Sequence, residues 1–350
     1  MCTFQVQLTT RDGQTLELPC QADETILAAA SRAHFALPAQ CRQGSCGACY
    51  AQVRTGRFAL GTHSPQALPQ EHGGVKEGAV LMCCTQPRSD LAVDLPYTRE
   101  KIIEGDIPLR SGHITALESV ANDTVHLTLQ LDDDPTRGVA ALFEPGQYME
   151  IGVPGTPHYR AYSLANIDNW EGRLEFLIRL QPGGLFSDYL RNRASVGSPL
   201  RLRGPQGAFG IATDSLRPRW LVAGGTGLAP MLSILRRMAD FQDRTPVRLI
   251  YGVNCSADLV MQDTLKALGH QLPQLQSDVC LMQATANSLA FAGNPVDRLH
   301  DLLADAEGTE NGCPDIYLCG PPGMIDAASG VARAAGVPEQ QIICERFLGS

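Results

Sequence analysis

The chain has 350 residues, 44% of them apolar, with a formal net charge of −9 and a pI near 5.4. That length supports two or three domains. The acidic balance argues against nucleic acid as a partner, because no Lys/Arg stripe offsets phosphate repulsion. No apolar run reaches the ~20 residues of a membrane span; the nearest, Trp220 to Leu235, is broken by Gly224, Gly225, Gly227 and Pro230. Residues Met1 to Thr10 alternate polar and apolar without the basic start of a signal peptide. The 12 cysteines therefore read as reduced thiols or metal ligands of a cytoplasmic protein.

Phe4–Leu8 and Thr15–Leu18 alternate with period two around Asp12-Gly13, which predicts a β-hairpin. Asp23 is the expected N-cap of a helix over Thr25–Ala30 that stops before Pro38. Next comes Cys41-Arg42-Gln43-Gly44-Ser45-Cys46-Gly47-Ala48-Cys49, with a further thiol at Cys83 and another beside it at Cys84. Thiols at this x4 and x2 spacing with a distant fourth match a plant-type 2Fe-2S loop. A zinc knot or disulfides are the alternative, but zinc sites usually pair thiols as two Cys-x2-Cys knuckles, and this loop has only one such pair. Gly44 and Gly47 give the close approach and backbone freedom that a loop folded over a cluster needs. Strand signals at Tyr50–Arg54 and Ala79–Met82 complete the pattern of a β-grasp domain.

Pro96, Gly105, Pro108 and Gly112 place a linker near residues 97 to 107. His113–Leu117, Val125–Leu129 and Tyr148–Ile151 then give short strand signals at the spacing of an antiparallel β-barrel. Arg219–Ala223 is a buried-strand run entering Gly224-Gly225-Thr226-Gly227 and then a helix pattern, Met231–Met238. A strand, glycine turn and helix in that order bring backbone N–H groups to a diphosphate. Two more apolar runs, Val247–Gly252 and Asp315–Gly320, predict a doubly wound parallel sheet. The expected fold is thus multidomain, α+β followed by α/β, with domains at residues 1–98, 99–212 and 213–350.

Arg160-Ala161-Tyr162-Ser163, with Leu177-Ile178-Arg179 and Gly184-Leu185-Phe186-Ser187 after it, resembles the flavin-binding set of the ferredoxin reductase family. The resemblance implies FAD. The Arg160 guanidinium would meet a diphosphate oxygen, Tyr162 would offer its face to the flavin, and the Ser163 hydroxyl would bond flavin N5. Ile178 belongs to the same set, and Gly184 to Ser187 would open a helix toward the pyrophosphate. The glycine turn at Gly224, Gly225, Thr226 and Gly227, taken with Cys319-Gly320-Pro321-Pro322-Gly323-Met324, resembles the nucleotide domain of that family. There Cys319 and Gly320 would lie by the nicotinamide and Phe347 would cover the flavin. By the same resemblance Cys41, Cys46, Cys49 and Cys83 are the cluster ligands, although spacing alone leaves Cys83 and Cys84 equivalent.

Ser64–Leu68, Asp94–Thr98, Gly172–Arg179, Phe186–Asn192 and Ile316–Ala327 resemble the reductase components of soluble methane monooxygenase and its butane-oxidising relatives. The resemblance spans nearly the whole chain. It implies an enzyme, monomeric on its own, that takes electrons from NADH through FAD and a 2Fe-2S cluster to a diiron hydroxylase partner. Nicotinamide gives two electrons and a 2Fe-2S cluster takes one at a time, so a flavin between them reconciles the counts. The chain lacks the Glu-x-x-His pair of a diiron bundle, so oxygen chemistry belongs to the partner. A phenol hydroxylase or ring-hydroxylating dioxygenase reductase shares the three modules, and a non-catalytic redox sensor is the reading from another class. The segment Tyr251 to Gln262 carries no Arg or Lys to offset a 2′-phosphate, while Asp258 and Asp263 suit a free 2′-hydroxyl, so NADH is expected over NADPH.

Overall fold

The computed structural model describes residues 2–71, 74–212, 215–284, 289–306 and 313–347. The chain forms two compact units, residues 1–108 with 206–208, and residues 109–205 with 209–350.

The first unit is a β-grasp domain. Strands β1 (Thr3–Thr9) and β2 (Thr15–Gln21) form the predicted hairpin. Helix α1 (Ile26–Arg32) follows, then β3 (Tyr50–Thr55), β4 (Ala79–Leu81) and β5 (Leu91–Asp94), in the order β2-β1-β5-β3-β4. The β1–β5 pair is parallel and the other pairs are antiparallel. Alternation puts Val6, Leu8 and Leu18 on the inner face, where Ile26, Ala29 and Ala30 of α1 cover them. The helix cap differs from expectation: the Thr25 hydroxyl, not Asp23, accepts the Ala28 N–H at 3.2 Å. Thr25 stands three residues before Ala28, the spacing an N-cap side chain needs to reach N3.

Residues 97–107, expected to be a linker, belong to this unit. Tyr97 and Ile102 are buried in its core, and Ile103–Glu104 pairs antiparallel with Phe35–Ala36. Burial of those side chains outweighs the turn signals of Gly105 and Pro108.

In the second unit, β6 (Leu109–Ala121), β7 (Thr124–Leu131), β8 (Tyr148–Gly152), β9 (Tyr159–Ser163), β10 (Arg173–Arg179) and β11 (Pro199–Gln206) run in the order β9-β8-β11-β6-β7-β10. A Leu164–Phe176 bridge and the bond from Ala165 N–H to the Glu175 carbonyl at 2.8 Å link the two edges and close the sheet into a barrel. Helix α2 (Leu185–Asn192) connects β10 to β11.

A parallel sheet follows, made of β12 (Arg219–Gly224), β13 (Val247–Val253), β14 (Leu275–Leu281), β15 (Phe291–Ala292), β16 (Asp315–Gly320) and β17 (Ile342–Arg346), in the order β15-β14-β13-β12-β16-β17. Helices α3 (Leu228–Asp240), α4 (Gln262–Gln271), α5 (Pro295–Ala306) and α6 (Pro322–Ala334) complete it. All six residues of β16 are buried, as a strand covered on both faces requires. Strand order reverses between β12 and β16, and ligands of open parallel sheets bind at the strand ends there. Among the described residues no helix is long and apolar enough to cross a membrane.

Candidate functional site

The cysteine loop is a connection whose backbone turns inward. Arg42, Gly44 and Gly47 all have positive φ, at 54°, 76° and 79°. A Cβ at Gly44 would lie 2.7 Å from the Cys84 sulfur and 2.9 Å from the Thr62 carbonyl oxygen, so only glycine fits. The inward N–H groups reach sulfur: Gln43 and Ser45 donate to Cys41 Sγ at 3.4 and 3.3 Å, and Cys41 N–H donates to Cys46 Sγ at 3.5 Å.

The thiols gather as two pairs. A hydrogen bond from the Cys46 thiol, helped by the Gln43 and Ser45 N–H groups against the effect of burial, holds Cys41 down to about 4. A hydrogen bond with Cys49, together with burial, pushes the Cys83 thiol up. Among the described residues no three His, Cys, Asp or Glu side chains converge as a single ion would need. Two thiol pairs with N–H donors around them fit a two-iron centre, in which each iron takes two thiolates, better than one tetrahedral zinc. Cys84 Sγ lies 3.5 Å from Cys83 Sγ, and Cys83 is the one paired with Cys49.

In the barrel, β9 ends at Ser163, whose hydroxyl donates to Glu345 Oε2 at 3.0 Å in a buried contact. Glu345 lies on β17 directly opposite Cys319 on β16. Burial, with Glu345 as a neighbouring negative charge, pushes the Cys319 thiol up, so it stays protonated. Phe347 is not a frayed end: its N–H donates to the Gly320 carbonyl at 2.8 Å and its ring packs on the apolar core. Glu345 thus ties Ser163 to the strand beside Cys319, and Phe347 is bonded to the residue that follows Cys319. Sequence reasoning gave Glu345 no role; its signal was an acid at a strand end two residues before the terminal aromatic.

The remaining flavin candidates divide. Arg160 donates to the Tyr159 carbonyl at 3.0 Å and pairs with no carboxylate among the described residues, which leaves donors for an anion. The Tyr162 ring lies 5.5 Å from that of Phe186. Gly184 caps α2 without a side-chain bond, so the first N–H groups of α2 are open to a phosphate. The Ser187 hydroxyl instead accepts Gln181 N–H at 2.9 Å and braces the turn before α2. Ile178 is fully buried in the barrel core, so only its backbone can meet a ligand.

At the strand-order reversal the two glycine turns touch. A Cβ on Gly227 would lie 2.2 Å from the Cys319 carbonyl oxygen, and one on Gly224 would lie 2.6 Å from Met324 Sδ. Gly225, at φ 55°, faces open space, while Thr226 is half-buried beside it. Gly320, at φ 152°, brings its turn within 3.2 Å of the Gly224 nitrogen by the same measure. The cradle is therefore bare backbone, as close approach to a diphosphate requires. Beyond β13, Asp258 accepts from Cys255 N–H at 3.3 Å and from its thiol at 3.4 Å, and Lys266 on α4 pairs with Asp263 at 3.4 Å.

Three family models match in the order of these sites: a 2Fe-2S iron-sulfur cluster binding domain at residues 9–88, an oxidoreductase FAD-binding domain at 111–211 and an oxidoreductase NAD-binding domain at 221–330. They define an iron-sulfur flavoprotein oxidoreductase. The propane 2-monooxygenase reductase component of Gordonia sp. (strain TY-5) is 33% identical over 338 residues, 95% of this chain and 94% of that protein. Methane monooxygenase component C of Methylosinus trichosporium is 35% identical over 297 residues, covering 85% and 86%. The toluate 1,2-dioxygenase electron transfer component of Pseudomonas putida is 33% identical over 350 residues, covering 99% of each. A crystal structure of an Amycolatopsis cytochrome P450 reductase, 28% identical, covers 99% of each chain with a TM-score of 0.71. The chain belongs to the family of NAD- and FAD-binding 2Fe-2S reductase components of multicomponent oxygenases.

Proposed function

We propose that this chain is the cytoplasmic, monomeric reductase that carries electrons from NADH to the diiron hydroxylase of a soluble hydrocarbon monooxygenase. The observation that carries the reading is the Ser163–Glu345 bond, which ties the end of the barrel strand to the strand opposite Cys319, beside a bare-backbone nucleotide cradle. When bound, nicotinamide supplies two electrons, FAD exchanges pairs for single electrons, and the cluster carries one at a time.

The chain's own residues bind and orient. Cys41, Cys46, Cys49 and Cys83 would hold the 2Fe-2S cluster, and the loop N–H groups that now reach sulfur would bond its thiolates. Arg160 and the N-terminus of α2 take the FAD diphosphate, Tyr162 and Phe347 wall the flavin, and Ser163 bonds its reactive edge. Gly224, Gly225, Thr226, Gly227 and Gly320 admit the NADH diphosphate, and Cys319 borders the nicotinamide. The first domain then runs to residue 108, since 99–108 brace it, and the limit between flavin and nucleotide domains stays at residue 212.

The similarity to the propane and methane monooxygenase components supports the hydrocarbon partner. The toluate dioxygenase component, equally similar to the propane one and matched end to end, favours a ring-hydroxylating dioxygenase as a second reading. Anaerobic NADH titration should bleach both flavin and iron-sulfur absorption. The reduced protein should then pass electrons to a purified diiron hydroxylase faster than to a Rieske dioxygenase. Faster transfer to the dioxygenase would replace the first reading with the second, and absence of flavin absorption would remove both.

A further inference from the structure

Helix α3 starts at the glycine turn Gly224–Gly227, and its far half grips the barrel. Ser233, Arg236 and Arg237, at helical spacing i, i+3 and i+4, share one face. That face meets the loop Leu164–Asp168, which begins at the residue after Ser163. The buried Ser233 hydroxyl donates to the Asn166 carbonyl at 2.6 Å. Arg236 donates to the Ala165 carbonyl at 2.9 Å and to Glu175 Oε2 at 3.0 Å, and Arg237 donates to Asp168 Oδ1 at 2.8 Å.

Glu175 is the other half of the clamp. Its side chain is 8% exposed and also meets His126 at 3.2 Å and Arg173 at 3.0 Å. Its own N–H donates to Asn166 Oδ1 at 2.9 Å, so one strand residue ties the same loop from the barrel side. The Ser233 and Arg236 bonds go to backbone carbonyls and to a buried carboxylate. Such contacts fix direction and distance, whereas an apolar surface would let the elements slide.

We propose that Arg236, with Glu175 as its counter-ion, is a positioning residue for flavin reduction. It sets the nucleotide cradle against the Ser163 strand. The proposal rests on the placement of NADH and FAD given above. Reaction between bound partners needs atoms ~3–3.5 Å apart, and a shift of about 1 Å costs about a hundredfold in rate. Both Arg236 bonds leave from one nitrogen, Nη1; a lysine ammonium has donors enough for both acceptors but ends one bond nearer the backbone, so it falls short of them.

The test is anaerobic stopped-flow reduction of the intact protein by NADH, with Arg236→Lys, Ser233→Ala and Ser163→Ala beside the wild type. The expectation for Arg236→Lys is a limiting flavin-reduction rate lowered about tenfold to a hundredfold. The NADH concentration at half-maximal rate should stay within twofold, the long-wavelength nicotinamide–flavin absorbance should weaken, and FAD content should be unchanged. Ser233→Ala should show the same pattern more weakly. If Ser163→Ala slows reduction while both α3 variants reduce at the wild-type rate, the positioning role is overturned and the site stands. If Ser163→Ala also reduces at the wild-type rate, the placement of the flavin itself is overturned. Loss of thermal stability in Arg236→Lys with an unaltered reduction rate would likewise refute the role.

Discussion

Gly227→Ala is the sharpest single perturbation of the nucleotide cradle. The added carbon would sit 2.2 Å from the Cys319 carbonyl oxygen and 2.6 Å from its carbonyl carbon, and both are backbone atoms that no rotamer change can move. Non-bonded carbon requires at least about 3 Å, so the two turns must part by roughly 1 Å, and overpacking of that kind costs about 1–3 kcal/mol. If the cost falls on the cradle, NADH binding weakens by about tenfold to a hundredfold, since each ~1.4 kcal/mol is tenfold. The assay is the NADH dissociation constant of FAD-loaded protein, with flavin content and Tm measured on the same sample. Gly330→Ala in α6, where nothing lies within 4 Å of the new carbon, is the control. It should bind NADH normally and gain about 0.5–1 kcal/mol of stability from lost backbone freedom in the unfolded chain. Wild-type NADH affinity in Gly227→Ala would refute the reasoning.

Cys46→Ser should lose iron and sulfide but keep FAD and its reduction by NADH, and loss of FAD with iron retained would break the modular reading. In iron analysis Cys83→Ser should lose the cluster and Cys84→Ser should keep it, because Cys83 is the thiol paired with Cys49; the reverse result reassigns the fourth ligand. Burial would raise Glu175, but His126, Arg236 and Arg173 outweigh it and hold its carboxyl near 2 against an ordinary 4.5. A depressed carboxyl stabilises the fold above its ordinary value and loses that contribution as pH falls toward 2. The difference is on the order of 3 kcal/mol, and Glu175→Gln should flatten acid denaturation between about pH 4.5 and 2; an unchanged acid limb would exclude Glu175 as its source. A kcat/KM comparison should favour NADH strongly over NADPH, because residues 251–262 carry no Arg or Lys and Asp258 and Asp263 would repel a 2′-phosphate; equal efficiency would overturn that.

Local signals were legible in the sequence. The Cys41 loop, the hairpin, the glycine turns and the parallel strands each follow from spacing and period within a few residues. What sequence hid was long-range. Ser163 and Glu345 are 182 positions apart and Arg236 and Glu175 are 61 apart, so no window contains either pair. Pro96, Gly105 and Pro108 gave a sound local turn signal, yet Tyr97 and Ile102 found a core to enter, and burial decided the matter. Asp23 was the better cap by type, and the geometry of the first turn gave the place to Thr25. Ile178 shows the converse limit, since a motif names a position but not the face, and its side chain turns into the barrel.

The Ser163–Glu345 contact has a directional consequence. A serine hydroxyl has one proton to give and two lone pairs to offer. Here the proton goes to Glu345, so toward any ligand Ser163 presents an acceptor. On the proposed flavin placement, the atom facing Ser163 is an acceptor before reduction and carries a proton after it. The serine must donate in the first state and accept in the second, which one rotation about its Cβ–Oγ bond provides. Glu345 is the group that takes the hydroxyl proton's hydrogen bond when the ligand no longer needs it. It stands on β17, beside the Cys319 strand, and not on the barrel that carries Ser163. On that placement, proton direction at the flavin edge would be set from the nucleotide-binding sheet, and the proposed α3 clamp would hold donor and acceptor in one register.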